Sequence, residues 1–118
     1  MEKIFEQGLL YDFYGELLTE HQQKIYEAAV YNDLSLGEIA EEAGISRQGV
    51  HDLIKRCDKI LTDYEARLHL VERFAAARKI VNEMQKLTEE IQQERDSIPA
   101  ERKLQELSVL EEQLLEHL

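Results

Sequence analysis

Tryptophan is absent from the 118-residue sequence, and helix breakers are scarce, with one proline and five glycines. Their scarcity favours long helices over a β-rich or disordered chain. The single cysteine, Cys57, has no partner for an internal disulfide, which suits a reducing cytoplasm. No apolar run reaches the roughly 18 residues of a membrane span, and the first residues lack a signal-peptide pattern. The composition therefore predicts a helical, cytoplasmic protein without membrane insertion.

The net charge of −11 argues against general nucleic-acid coating, because phosphates repel an acidic protein at long range. The charge is not uniform, however. The segment between Ser46 and Ile60 contains four basic and two acidic residues, so its formal charge is +2. A basic strip on an acidic body fits weak or sequence-dependent binding.

Apolar residues recur at helical spacing along most of the chain. The pattern predicts helices over 4–18, 20–31 and 36–43, with capping boxes opening at Thr19 and Ser35. A fourth helix starts after Ser46, and whether it continues through Asp58 or a new helix starts there stays open. From Asp58 to about Arg95 there is no Pro or Gly, which predicts a long helix. A turn at Ser97 to Pro99 then leads to a last helix that folds back as an antiparallel hairpin.

The segment from Leu36 to Leu53 meets the stereochemical demands of a helix-turn-helix together rather than singly. Ala40 sits where two helices cross closely, and Gly44 occupies the turn. The predicted motif core is Ile39, Ala40, Gly44, Ile45, Val50 and Leu53. A helical hairpin without any DNA role is the alternative.

In such a unit the start of the second helix enters the major groove of DNA. Arg47 could bind guanine or a phosphate, and Gln48 could pair with adenine N6 and N7. Asp52 would repel phosphate unless it pairs with Lys55 or Arg56. The predicted DNA-binding residues are Ser46, Arg47, Gln48, His51, Lys55, Arg56 and Lys59. Simple solvent exposure is the alternative for each of them.

Other chemical sites are not indicated. The four histidines and Cys57 show no metal-ligand spacing, and no glycine-rich phosphate loop or catalytic triad spacing occurs. We therefore expect no metal, no cofactor, no small-molecule substrate and no enzymatic activity.

Two resemblances follow from these residues. Thr19 through Arg56 is similar to the promoter-reading region 4 of bacterial sigma factors. The whole chain resembles more closely the YlxM family of helix-turn-helix proteins. The segments that carry this likeness are Tyr11-Asp12-Phe13-Tyr14, Leu17-Leu18-Thr19, Asn32 to Ala40, Ser46-Arg47-Gln48 and Asp63-Tyr64-Glu65. The resemblance implies a bacterial protein that takes part in, or regulates, the signal recognition particle pathway.

The resulting prediction is an all-α protein, with a sigma-region-4-like bundle followed by a long helix and an antiparallel C-terminal helix. Residues 1–60 would form the DNA-binding domain, and residues 61–118 a long helical hairpin for dimerisation. The apolar stripe that the last helix cannot cover predicts a homodimer interface, unless the N-terminal helix of the same chain covers it and leaves a monomer. Its residues are Leu61, Leu68, Val71 and Phe74. The partner would be double-stranded DNA, or alternatively a protein or RNA component of the signal recognition particle system.

Overall fold

The computed structural model describes residues 3–94 and 98–118, and within them it contains α-helices, one 3₁₀ turn and no strand. The helices are α1 (Lys3–Tyr14), α2 (Glu20–Val30), α3 (Leu36–Ala43), α4 (Arg47–Leu68), α5 (Leu70–Glu94) and α6 (Ile98–Glu116). The 3₁₀ turn, Gly15–Leu17, follows α1. The predicted all-α class is confirmed.

The starts of α2, α3 and α4 are set by the residues that the sequence singles out. Thr19 and Ser35 each open a reciprocal capping box, with Gln22 and Glu38 as the respective partners. Each box satisfies two backbone N–H groups that a helix start would otherwise leave without acceptors. Ser46 accepts from the N–H of Gly49 and caps α4. Both predicted capping boxes are confirmed.

α4 runs through Asp58 without interruption and ends at Leu68, where His69 adopts a left-handed conformation with φ of 56°. The single long helix predicted from Asp58 to Arg95 is therefore wrong. Tertiary hydrogen bonds support the break. Tyr14 Oη accepts from the N–H of Leu70 at 3.1 Å, and Glu65 Oε1 accepts from the N–H of Val71 at 3.0 Å. Tyr14 also donates to Glu65 at 2.5 Å, so α1 helps to fix the start of α5.

Contacts divide the chain into two compact units, Met1–Val71 and Glu72–Leu118. In the first unit, α4 packs against α1, α2 and α3. The buried side chains form two clusters, and half-buried Leu53 and Ile54 pack against both. One cluster contains Tyr14, Leu18, Tyr26, Cys57 and Leu61, and the other contains Ile25, Ile39, Ala40 and Val50. α4 is thus the central helix of the unit.

Near the amino terminus, the buried residues of the first cluster differ from those that the apolar pattern of the sequence favours. The helical spacing of apolar residues in the segment 4–18 favours a core position for Phe5, but Phe5 is 56% exposed, whereas Tyr26 is fully buried. Phe5 lies in the first turns of α1, before the point where that helix reaches its buried residue, Tyr14.

In the second unit α6 turns back along α5, because Lys103 contacts both Glu94 and Glu90, at 2.7 and 3.3 Å. Antiparallel packing of the last helix is therefore observed within this unit. The expected turn at Ser97 lies outside the described residues, and α6 begins at Ile98. Helical spacing puts Leu104 and Leu118 on one apolar face of the last helix, yet they are 51% and 82% exposed.

Candidate nucleic-acid interface

α3 and α4 meet at a tight turn that places the start of α4 at the surface. Gly44 ends α3 with φ of 70° and ψ of 30°, a left-handed conformation that favours glycine. The carbonyl of Ala40 accepts from the N–H groups of Gly44 and Ile45, at 3.0 and 3.2 Å. Ser46 then caps α4 two residues after the glycine. Three residues, 44–46, therefore connect two capped helices that pack against each other, which is the arrangement of a helix-turn-helix.

Apolar side chains hold these two helices together. Ile39 and Val50 are 2% and 0% exposed, and Ala40 is 8% exposed between α3 and α4. Ile45 and Leu53 are half-buried and pack against the same cluster. The structure thus brings the residues expected in the motif core to one place around the turn.

One face of α4 is exposed and basic. Its residues recur at steps of three and four, so they lie along one side of the helix over about 18 Å. They are Arg47, Gln48, His51, Asp52, Lys55, Arg56 and Lys59, and all are exposed. We call this set the α4 face. Its four Lys and Arg residues and one Asp give it a formal charge of +3.

Asp58 does not weaken the α4 face, because its carboxylate is bound on the core side of α4. Asp58 Oδ1 accepts from the hydroxyl of Tyr26 at 2.5 Å and from Nε2 of Gln7 at 2.9 Å. Burial and the hydrogen bond to Asp58 raise the pKa of Tyr26, so this hydroxyl stays protonated and remains a donor. The exposed charge of this part of α4 is therefore more positive than the sequence balance indicates.

The polar side chains at the start of α4 are already ordered by neighbours. Ser46 Oγ serves the helix cap and is exposed. The guanidinium of Arg47 lies over Gly37 in α3, where an added Cβ would come within 3.2 Å of it. Gln48 donates from Nε2 to Asp52 Oδ1 at 2.9 Å, and His51 Nδ1 lies 3.7 Å from the same oxygen.

Two features of this region differ from the expectations or were missed. Asp52 was expected to pair with Lys55 or Arg56 if it paired at all, yet its hydrogen-bond partner is Gln48, one turn before it. The hydrogen bonds of Asp58 to Tyr26 and Gln7 cross 32 and 51 residues of sequence. No local sequence pattern carries such long-range pairs, so the sequence gives no signal for them.

The formal charge changes sign twice along the chain. Residues 1–46 carry ten acidic and two basic residues, a balance of −8. Residues 47–79 carry eight basic and five acidic ones, or +3, and residues 80–118 carry four and ten, or −6. The positive segment includes the whole α4 face. Positive charge is thus concentrated in one segment of an otherwise acidic sequence.

The residues expected at a dimer interface differ in exposure. Leu61 is fully buried in the first core cluster, and Val71 is half-buried against it. Leu68 in the first unit and Phe74 in the second are each 46% exposed. The expectation for Leu61 is therefore corrected, because its side chain is already covered by its own chain.

Among the residues that the structure describes, no three His, Cys, Asp or Glu side chains come together as metal ligands would. No helix in the described ranges combines the length and the apolar character needed to cross a membrane.

The turn geometry, the capped helices and the exposed basic face define a helix-turn-helix protein. Comparison with known families identifies the family. Residues 1–101 match the family UPF0122, described as "Putative helix-turn-helix protein, YlxM / p13 like". The chain belongs to this family, and the resemblance read from the sequence is confirmed. The description names a helix-turn-helix and no catalytic activity.

Curated relatives carry the same family name. A UPF0122 protein of Desulforamulus reducens is 46% identical over 84 residues, which cover 71% of this chain and 72% of the relative. One from Thermoanaerobacter sp. strain X514 is 47% identical over 93 residues, 77% of either chain. One from Acetivibrio thermocellus is 53% identical over 74 residues, 63% of either chain. These names state no substrate or partner.

Proposed function

We propose that this protein is a cytoplasmic regulator that binds double-stranded DNA through the α4 face. The observation that carries the proposal is the exposed row of Arg47, Lys55, Arg56 and Lys59 on the second helix of a helix-turn-helix. In this class of motif the start of the second helix lies in the major groove. Residues further along the helix then meet the phosphates.

The residues of the α4 face take different roles in this proposal. Arg47 and Gln48, in the first turn of α4, would contact base edges. Lys55, Arg56 and Lys59 lie two to three turns further on and contribute charge to phosphate contacts. Ser46 fixes the start of the helix, and His51 lies between the two groups. Binding is expected to be sequence-dependent, because the acidic remainder of the chain opposes indiscriminate attraction to DNA.

A fluorescence-anisotropy titration with duplexes selected from a random pool tests the proposal. Arg47→Ala should weaken binding to the selected site by about 1–3 kcal/mol and relax sequence preference, whereas Lys59→Ala should weaken all duplexes alike. Lys86→Ala, an exposed lysine of the second unit, is the matched control and should change nothing. With four basic contacts per subunit, the salt dependence of a dimer should be no steeper than a slope of about −7. Equal weak binding to random and selected duplexes, unchanged by Arg47→Ala, would contradict the proposal.

A second candidate function uses the same scaffold without DNA. The net charge of −11 favours a protein partner, since 20 of the 25 acidic residues lie outside the positive segment 47–79 and repel the phosphates of RNA as they repel those of DNA. In that case the partner is a protein or RNA component of the signal recognition particle system, the pathway that the resemblance to the YlxM family implies. A role in that pathway is also compatible with DNA binding, because a DNA-binding protein can regulate the genes of the pathway. Recovery of RNA instead of DNA on the α4 face would favour the second candidate.

We also infer that the working form is a homodimer. Leu68, one of the residues expected at the interface, is 46% exposed on the first unit. Apolar side chains left at the surface of a small protein are common at interfaces between subunits. A two-fold dimer could present two α4 faces to successive major grooves, which requires a spacing of about 34–36 Å.

A further inference from the structure

Gln48 and Asp52 form an ordered pair on the surface proposed to enter the major groove. They lie one helical turn apart on α4, and Gln48 donates from Nε2 to Asp52 Oδ1 at 2.9 Å. Both residues are exposed, and the side chain of Asp52 is 62% exposed. An ionised carboxylate only accepts hydrogen bonds. It therefore binds the nitrogen end of the amide and holds Oε1 pointing elsewhere.

This pairing limits what the amide of Gln48 can offer to a base. A glutamine amide has two N–H donors and one carbonyl acceptor. With one N–H committed to Asp52, a single donor and the carbonyl oxygen remain. Adenine presents one acceptor, N7, and one donor, N6, in the major groove, so it matches both remaining groups. Guanine presents two acceptors, N7 and O6, and it would place O6 against the amide oxygen.

Resting on the proposed DNA-binding function, we propose that Asp52 is a positioning residue that makes Gln48 select adenine over guanine. The presence of an acidic residue on a phosphate-binding face supports this role. On the proposed interface a carboxylate would lower affinity for every duplex, since its charge repels the phosphates that Lys55 and Arg56 attract. The carboxylate of Asp52 accepts from Gln48 and fixes the orientation of that amide, which would offset the loss of affinity with a gain in sequence preference.

The test separates the orientation of the amide from the charge of Asp52. Asp52→Asn keeps the size of the side chain but replaces the carboxylate with a group that both donates and accepts, so it fixes no orientation. Asp63→Asn is the matched control, because it removes the same charge from an exposed position further along α4. Gln48→Ala removes the amide itself. Thermal unfolding should be the same for all three variants as for the wild type, since the three side chains are exposed.

Each protein is used to select duplexes from a random pool, and dissociation constants are then measured for the selected site and for its variant with guanine in place of adenine. The wild type should prefer adenine by about tenfold, as expected for a bidentate contact. Asp52→Asn should reduce this ratio by about fivefold, the equivalent of one neutral hydrogen bond, while binding all duplexes more tightly. Gln48→Ala should abolish the preference at that base pair. Asp63→Asn should tighten binding and leave the ratio unchanged.

An unchanged ratio in Asp52→Asn would overturn the positioning role while leaving DNA binding intact. Absence of any duplex binding by the wild type would overturn the proposed function and this inference together. The two failures are therefore distinguishable.

Discussion

The hydroxyl of Tyr26 and the carboxylate of Asp58 share a 2.5 Å hydrogen bond across the α2–α4 contact. Tyr26 is fully buried, and Gln7 from α1 donates to the same carboxylate oxygen. One acidic residue of α4 thereby joins three helices on the core side, while the basic residues stay on the exposed side. Core packing and the charge of the proposed binding face thus depend on the same contact.

Replacing Tyr26 with Phe should lower the free energy of unfolding by about 2 kcal/mol, because a buried hydrogen bond to a charged group is lost. Chemical denaturation measures this. Tyr31→Phe is the matched control, since Tyr31 is 49% exposed and its hydroxyl donates to Asp12, with the carbonyl oxygen of Gly8 as a second acceptor 3.1 Å away that shares the same proton. Its loss should cost less than about 1 kcal/mol. Equal losses of stability in the two variants would show that the hydrogen bond from Tyr26 to Asp58 contributes no more than an exposed one.

Ala40 should tolerate no large side chain, because it is 8% exposed between α3 and α4. Ala40→Glu should lower the free energy of unfolding by about 3 kcal/mol or more through overpacking and a buried charge. Ala43→Glu, exposed on the same helix, should cost at most about 1 kcal/mol. Thermal unfolding of the two variants compares them directly. Similar melting temperatures for the two variants would show that Ala40 does not occupy the tightly packed position of the helix-turn-helix.

Stability should fall at alkaline pH through Cys57. Burial raises the pKa of the Cys57 thiol from 9.0 to about 11, so the folded state holds the proton more tightly than the unfolded state. The stabilisation is fully present below pH 9, and it is lost as the pH rises through 11. The whole contribution is about 3 kcal/mol.

Denaturation curves between pH 8 and 11 measure this loss, with Cys57→Ala as the comparison. The variant should lose less stability over this interval, although Tyr14 and Tyr26 also have raised pKa values and add a decline common to both proteins. Parallel declines in the two proteins would show that the thiol does not contribute.

Self-association should depend on Leu68 and not on Leu61. Sedimentation equilibrium at micromolar concentration should give twice the chain mass of 13.8 kDa for the wild type. Leu68→Glu, at a position 46% exposed, should give the single mass without loss of folding. Leu61→Glu should unfold the first unit, because that side chain is fully buried. A wild-type mass near 13.8 kDa would rule out a stable dimer.

Local features of the sequence predict much of this fold. The side chains of Thr19, Ser35 and Ser46 each accept a hydrogen bond from the backbone N–H three residues later, so these caps can be predicted from residue spacing alone. Gly44 likewise ends α3 through its own backbone freedom. These signals locate α2, α3 and the start of α4, and with them the exposed face of the helix-turn-helix.

Features that depend on tertiary contacts cannot be predicted from local sequence patterns. The break at His69 contains no Pro or Gly, and it is stabilised by Tyr14 from another helix. Val81 and Ile80 are adjacent apolar residues, and periodicity favours Val81 for the covered stripe, yet Ile80 is the buried one. The direction of a carboxylate, as at Asp58, depends on partners far away in sequence.

Genome-wide crosslinking of the tagged protein in cells, with DNA and RNA recovered in parallel, tests the central claim most directly. The comparison is a Lys55→Ala/Lys59→Ala double variant, which removes two exposed charges of the α4 face and leaves the core untouched. The account predicts discrete DNA sites for the wild type, their loss in the double variant, and RNA at background for both. Enrichment of RNA without DNA, or DNA recovery that the double variant leaves unchanged, would contradict it.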